Sequence, residues 1–83
     1  MRSFTLERRS DESGVSGTGV VVEGVEFSDG VVVVRWLSEA KPCSTVVWDN
    51  FEAFWEIHVA SHPTNGTVVV FDDGTMLSQG DPV

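Results

Sequence analysis

His58 and His62 stand four residues apart, a spacing that sets two imidazoles on one side of a helix and suits a shared metal ion. A zinc site normally takes three or four protein ligands. Here no acidic residue separates the pair, and Cys43 is the only soft third ligand in the chain. His62 also precedes Pro63, which carries it past the last helical turn. The two histidines therefore read as a half-buried His58 and a surface His62. Cys43 follows Pro42 in a loop. A nucleophilic cysteine needs a base and a lowered pKa, and the sequence brings no such base to it, so it reads as an inert thiol. The stretch Ser13-Gly14-Val15-Ser16-Gly17-Thr18-Gly19 invites a phosphate-loop reading. It lacks the lysine and the strand-then-helix frame such a loop requires, and Asp11 and Glu12 just upstream would repel a phosphate. Thr18 stands where a serine-hydrolase elbow needs its last glycine. The stretch reads as a loop whose glycines serve turns. No residue is expected to be catalytic, to bind a cofactor or to hold a metal, and the protein is not expected to be an enzyme.

The remaining chemistry is that of surfaces. Trp36, Trp48, Phe51, Phe54 and Trp55 supply a core, with one or two of these rings expected at the surface as a binding anchor. Thirteen acidic and five basic residues give a net charge of −8. Nucleic-acid binding leaves a basic footprint, so no nucleic acid is expected as a partner. The charge fits a soluble protein or a basic protein partner. A lone cysteine excludes an internal disulfide, and secreted domains of this size usually carry several. The N-terminus, Met1-Arg2-Ser3-Phe4-Thr5-Leu6-Glu7-Arg8-Arg9, has no apolar signal core, and apolar runs such as Val31 to Val34 are far too short to span a bilayer. A cytoplasmic protein without membrane contact is the expectation.

These surfaces must be held by one small β-rich domain spanning residues 1–83. Valine is the dominant residue, and its branched Cβ favours strands. Phe4 to Arg9 alternates Phe4, Leu6 and Arg8 against Thr5, Glu7 and Arg9, which predicts a short edge strand. Ser10 to Thr18 is a loop. Two valine-rich runs between Gly19 and Leu37 flank Asp29-Gly30, which predicts a hairpin with a two-residue turn. That turn pairs Phe27 with Val32 and Val25 with Val34. Continuing the alternation would bury Glu23, and a β-bulge at Glu23-Gly24 opposite Arg35 removes the conflict. The apolar face then holds Val20, Val22, Val25, Phe27, Val32, Val34 and Trp36, and Glu23 pairs with Arg35 on the other. Lys41-Pro42 lies in a connector, and Thr45 to Trp48 is a strand. Asp49 caps a helix, with Glu52 completing a capping box. Phe51, Phe54, Trp55 and His58 form its apolar stripe, and His62-Pro63 ends it. Asn65-Gly66 turns into a strand over Thr67 to Phe71, and Asp72-Asp73-Gly74 turns again before a short tail. The β-β-β-β-α-β order predicts a mostly β fold with one helix. A small, antiparallel, partly open SH3-like barrel capped by the helix fits best, with a curled antiparallel sheet and the helix packed across it as the alternative.

One segment also carries a family likeness. Phe4-Thr5-Leu6-Glu7-Arg8-Arg9 through Ser13-Gly14-Val15-Ser16-Gly17-Thr18-Gly19, then Glu23-Gly24-Val25-Glu26-Phe27-Ser28-Asp29-Gly30 and Arg35-Trp36-Leu37, resembles small proteins of tailed actinobacterial phages and haloarchaea. The likeness covers roughly residues 4–71. Members often show a His-Gly-His element near the helix end, where this chain reads Ile57-His58-Val59-Ala60-Ser61-His62. The resemblance implies a phage accessory protein in the host cytoplasm and brings no activity or site residue. The expected function is protein–protein interaction with a host or phage protein. The alternatives are self-assembly into a phage structure and an acidic mimic of nucleic acid. The hairpin face opposite the core carries Val21, Val31, Val33 and Leu37 around Arg35. A solvated strand face would be polar there, so these residues must be covered. The chain itself comes first, if the sheet curls and the N-terminal strand or the tail folds over. Otherwise a second copy or a partner covers them, which makes them the candidate interaction surface.

Overall fold

The computed structural model describes residues 1–8, 19–37, 43–60 and 66–79. The expectations for the Gly/Ser-rich loop, the Lys41-Pro42 connector and the His62-Pro63 helix stop fall outside these residues. Eight segments are regular: β1 (Arg2–Arg8), β2 (Gly19–Glu26), β3 (Val32–Trp36), β4 (Ser44–Trp48), α1 (Phe51–Trp55) running on as a π-helix (Glu56–Ala60), β5 (Val68–Phe71) and β6 (Met76–Ser78). The six strands form one antiparallel sheet in the order β4-β3-β2-β1-β5-β6.

The sheet is open, with β4 and β6 at its two edges, and does not close into an SH3-like barrel. Of the two expected architectures, the sheet with a helix across it is the one found. The N-terminal strand is also not an edge: β1 lies between β2 and β5. Its Phe4 and Leu6 are buried against the helix layer, and both sides of its backbone are paired. The tail beyond Asp72-Asp73-Gly74 supplies the unexpected sixth strand, paired to β5 through Val69 and Leu77.

The β2–β3 hairpin departs from expectation at its turn. Gly30 N–H donates to the Phe27 carbonyl and Phe27 N–H donates to Val31, at 2.9 and 2.8 Å. Gly30 carries φ of +96°, and among the described residues none other than glycine has a positive φ. A two-residue type I′ turn would need a positive φ at Asp29 as well. The loop is therefore the three-residue kind, Ser28-Asp29-Gly30, in which a type I turn is followed by a left-handed glycine. Asp29 Oδ1 reinforces it by accepting from Val31 N–H at 3.1 Å. The pairing becomes Glu26 with Val32, Val25 with Val33, Gly24 with Val34, Glu23 with Arg35 and Val22 with Trp36.

No bulge at Glu23-Gly24 is needed, because the longer loop already turns Glu23 outward. The expected pairs Glu23–Arg35 and Val22–Trp36 are present, since the extra loop residue shifts the register as the bulge would have. Between loop and bulge the expectation fails: Phe27 is 42% exposed, and Val25 lies on the face away from the helix with Val33. The sheet does hold a bulge, on the other side of β2. The register with β1 shifts between Leu6 and Glu7, so that Val21 has no partner there. Val21 is thereby drawn into the core at 2% exposure, while Val20 is exposed.

Gly24 has a different role from the one expected. A Cβ there would lie 2.3 Å from Phe4 Cζ. The missing side chain lets the Phe4 ring lie across the strand, where it meets Phe51, Phe54 and Phe71 at centroid distances of 5.5, 6.2 and 5.8 Å.

The helix begins one residue later than the capping box implies. Asn50 is the N-cap, its Oδ1 accepting from Ala53 N–H at 2.8 Å. Phe51, Phe54 and Trp55 are buried as the stripe requires, and then the α-helix widens into a π-helix. A wider turn delays the inward face. Val59, five residues after Phe54, is fully buried, and His58 is only half-buried.

Candidate functional site

The helix covers one face of the sheet. Phe4, Leu6, Val22, Val32, Val34, Val69 and Phe71 meet Phe51, Phe54, Trp55 and Val59 there, with Trp36, Val46, Trp48 and Leu77 packed at the margins. Strand alternation sends the intervening residues to the opposite face, on which no described helix lies. Register partners arrange that face in rows. One row runs Val47, Val33, Val25 and Ser3 from β4 to β1. The next crosses all six strands as Thr45, Arg35, Glu23, Thr5, Val70 and Met76. Val25, Val33 and Val70 are half-buried by their strand neighbours, whereas Val47 and Met76 are 65% and 59% exposed. Arg35 is exposed, and its Nη1 donates to Thr45 Oγ1 at 3.0 Å. This is an apolar band bordered by hydroxyls and a few charges, the texture of an interaction surface rather than of a solvated strand face.

Of the residues expected to form such a surface, Val33 and Arg35 lie in it. Val31 and Leu37 are half-buried at the two ends of the β3 segment. Val21 does not belong: the β1–β2 bulge buries it within the core. Val25 and Val47 were missed. Val25 was placed on the wrong face by the two-residue turn; the spacing Ser28-Asp29-Gly30, with glycine third, was the signal available for the longer loop. Val47 could be placed only once β4 was known to pair with β3.

The residues with chemical potential are dispersed. His58 sits among rings, at centroid distances of 4.8 Å from Trp36, 5.4 Å from Trp48 and 5.6 Å from Phe54. Arg8, buried at 5% exposure, places its guanidinium 5.3 Å from the Trp36 ring centroid and donates to the His58 carbonyl at 3.3 Å. Its aliphatic stem continues the inward face of β1, and its charge reaches aromatic and carbonyl partners. Cys43 is a free, exposed thiol at the start of β4. Among the described residues, no three His, Cys, Asp or Glu side chains gather as they would around a metal ion. A shallow groove of about 340 Å³ lies between the start of α1 and β6, lined in part by Arg2, Glu26, Phe51 and Phe71. Arg2 occupies one wall, ion-paired to Glu26 at 2.9 Å and stacked 3.8 Å over Phe71. The aromatic set is core or core margin throughout, so among the described residues the exposed aromatic ring is that of Phe27 and not of a tryptophan.

Comparison with protein families gives a match to the Acb5 phage protein model over residues 1–73. The chain belongs to the Acb5 phage protein family. The match runs through β1 to β5 and through the helix and ends before β6. Curated proteins and solved structures give no match. The Acb5 description states a phage origin and leaves the role open. Among the described residues, no helix is long and apolar enough to cross a membrane.

Proposed function

We propose that this Acb5 family member is a phage accessory protein that acts by binding another protein, encoded by the host or by the phage, through the helix-free face of its sheet. The observation that carries the proposal is the one-sided cover. Among the described residues a single helix buries one face, and the other carries the Val25-Val33-Val47 row and the Val70–Met76 pair, with Val47 and Met76 exposed. The three valines of the first row are adjacent across β2, β3 and β4, and adjacent apolar side chains on an uncovered face often mark an interaction site. The net charge of −8 favours a partner with basic surface around its own apolar patch, because complementary charge accelerates encounter and rejects acidic competitors. The same charge argues against nucleic acid as the partner. The motif likeness to proteins of tailed actinobacterial phages and haloarchaea supports action in the host cytoplasm.

The test is capture from host lysate with the tagged wild-type chain and two variants, followed by identification of the bound protein. Val33→Glu puts a carboxylate in the middle of the apolar row. Glu52→Lys alters the exposed side of α1 and serves as a control. A partner retained by wild type and Glu52→Lys and lost by Val33→Glu supports the face. A partner retained equally by a folded Val33→Glu protein excludes it.

A further inference from the structure

A strand at the edge of a sheet exposes a row of unpaired N–H and C=O groups, and natural proteins blunt such edges with charge, proline, bulges or brevity. The two edges of this sheet differ in that respect. β6 is three residues long. β4 is five residues, Ser44-Thr45-Val46-Val47-Trp48, and pairs with β3 without a break in register. It contains no charge, no proline and no glycine, in a chain where 22% of residues are charged.

The hairpin fixes which of its backbone groups are free. Antiparallel partners alternate between hydrogen-bonded and non-hydrogen-bonded pairs. Phe27–Val31 and Val21–Leu37 are bonded across the β2–β3 ladder at 2.8 and 2.9 Å. Val25–Val33 and Glu23–Arg35 share their parity and are bonded there too. Val32, Val34 and Trp36 therefore turn their backbone groups to β4, where they meet Trp48, Val46 and Ser44. What remains on the outer side of β4 is the N–H and C=O of Thr45 and of Val47, and among the described residues no strand pairs with that side.

We propose that β4 pairs with β4 of a second copy, antiparallel, about a two-fold axis through Val46. It is the one antiparallel register that pairs all five residues. Thr45 of each copy bonds with the partner's Val47, and Val46 faces the partner's Val46 as a non-hydrogen-bonded pair. The second copy is the occupant that the charges allow. Two chains of −8 repel wherever their acids meet, but this strand brings none together. In the same register Asp49, the first acid beyond the strand, lies opposite the partner's uncharged Cys43. Opposed residues of paired strands point to the same side, so the product is one twelve-stranded sheet with both helices on one face and both helix-free faces joined on the other. Val47, 65% exposed in the single chain, becomes covered at the seam.

The pairing needs no host protein and does not rest on the function proposed above. Val33→Glu leaves the outer backbone of β4 intact, so loss of partner capture and loss of the dimer are separable. The experiment is sedimentation velocity on the full chain over a concentration series, with circular dichroism to confirm folding. Wild type is expected to form a dimer. Val47→Lys, which places a charge on the edge, and Val47→Pro, which removes only an outward N–H, are expected to remain folded and lose the dimer. In a Cys43→Ser background, Val46→Cys is expected to oxidise to a disulfide-linked dimer, because non-hydrogen-bonded antiparallel partners lie about 4.5 Å apart at Cα, within disulfide reach. Met76→Cys, at the far edge, is expected to keep the non-covalent dimer and to form no disulfide cross-link under the same oxidation. A wild-type chain that stays monomeric across the series overturns the proposal. So does a dimer that survives Val47→Lys and fails to cross-link through Val46→Cys.

Discussion

Gly24 shows how one missing Cβ organises a core. The Phe4 ring fills the space where that atom would sit, and the ring is in turn boxed in by Phe51, Phe54 and Phe71. With no room to retreat, Gly24→Ala is expected to lower stability by about 1–3 kcal/mol, the usual cost of overpacking, even though alanine suits a strand better than glycine does. A thermal melt of the variant measures this. Phe27 makes the opposite case. A phenylalanine in a core typically costs about 3–5 kcal/mol when cut to alanine. Phe27 is 42% exposed beside the hairpin loop, so Phe27→Ala is expected to cost under about 1 kcal/mol. A loss of about 3 kcal/mol or more would show Phe27 to be buried and contradict its exposed position.

At the level of elements, caps and turns set where segments begin. Asn50 rather than Asp49 closes the start of α1. Asn50→Ala is therefore expected to cost about 1 kcal/mol and Asp49→Ala a few tenths at most, a difference that parallel urea titrations resolve. The turn between β5 and β6 is held by Asp73, whose Oδ1 accepts from Thr75 N–H at 2.8 Å. Hydrogen bonds from Thr75, first through its side chain and then its backbone, hold the Asp73 carboxyl below its ordinary value of 3.8. The sign follows from linkage: a lowered folded-state pKa stabilises the protein above the unfolded value, and the contribution is lost as pH falls through the folded one. Asp73→Asn is therefore expected to flatten the acid limb of the stability curve and to leave its shape near neutrality unchanged. The π-helix decides the other end of the helical segment, exchanging His58 for Val59 at the core.

At the scale of the molecule, one helix over an open sheet leaves the second face to be explained. Val33 is half-buried there, and among the described residues no helix covers it. Val33→Glu is expected to cost about 1 kcal/mol or less in the isolated chain, near the span of strand propensities, against 2 kcal/mol or more for an unpaired charge in a closed interior. Chemical denaturation of the variant distinguishes an uncovered face from a hidden one. What the sequence determined by itself was local. The valine-rich runs, the alternation of Phe4 and Leu6 with Thr5 and Glu7, and the stripe Phe51, Phe54 and Trp55 carry their periods in neighbouring residues, so the strands and helix were legible. The phage kinship was legible in the Gly-Val-Ser-Gly-Thr-Gly element and the motifs that follow it. What only the tertiary structure decided was which strand neighbours which. The central place of β1, the sixth strand and the open edges depend on pairings between residues far apart in sequence, and a period of two names a strand's faces without naming its partners. The surface residues follow the same division. Val33 and Arg35 could be read within one strand. Val25 turned on a single loop residue, Val21 on a bulge against β1, and Val47 on the pairing of β4 with β3, because a shift of one residue in a sheet sends a side chain to the other face.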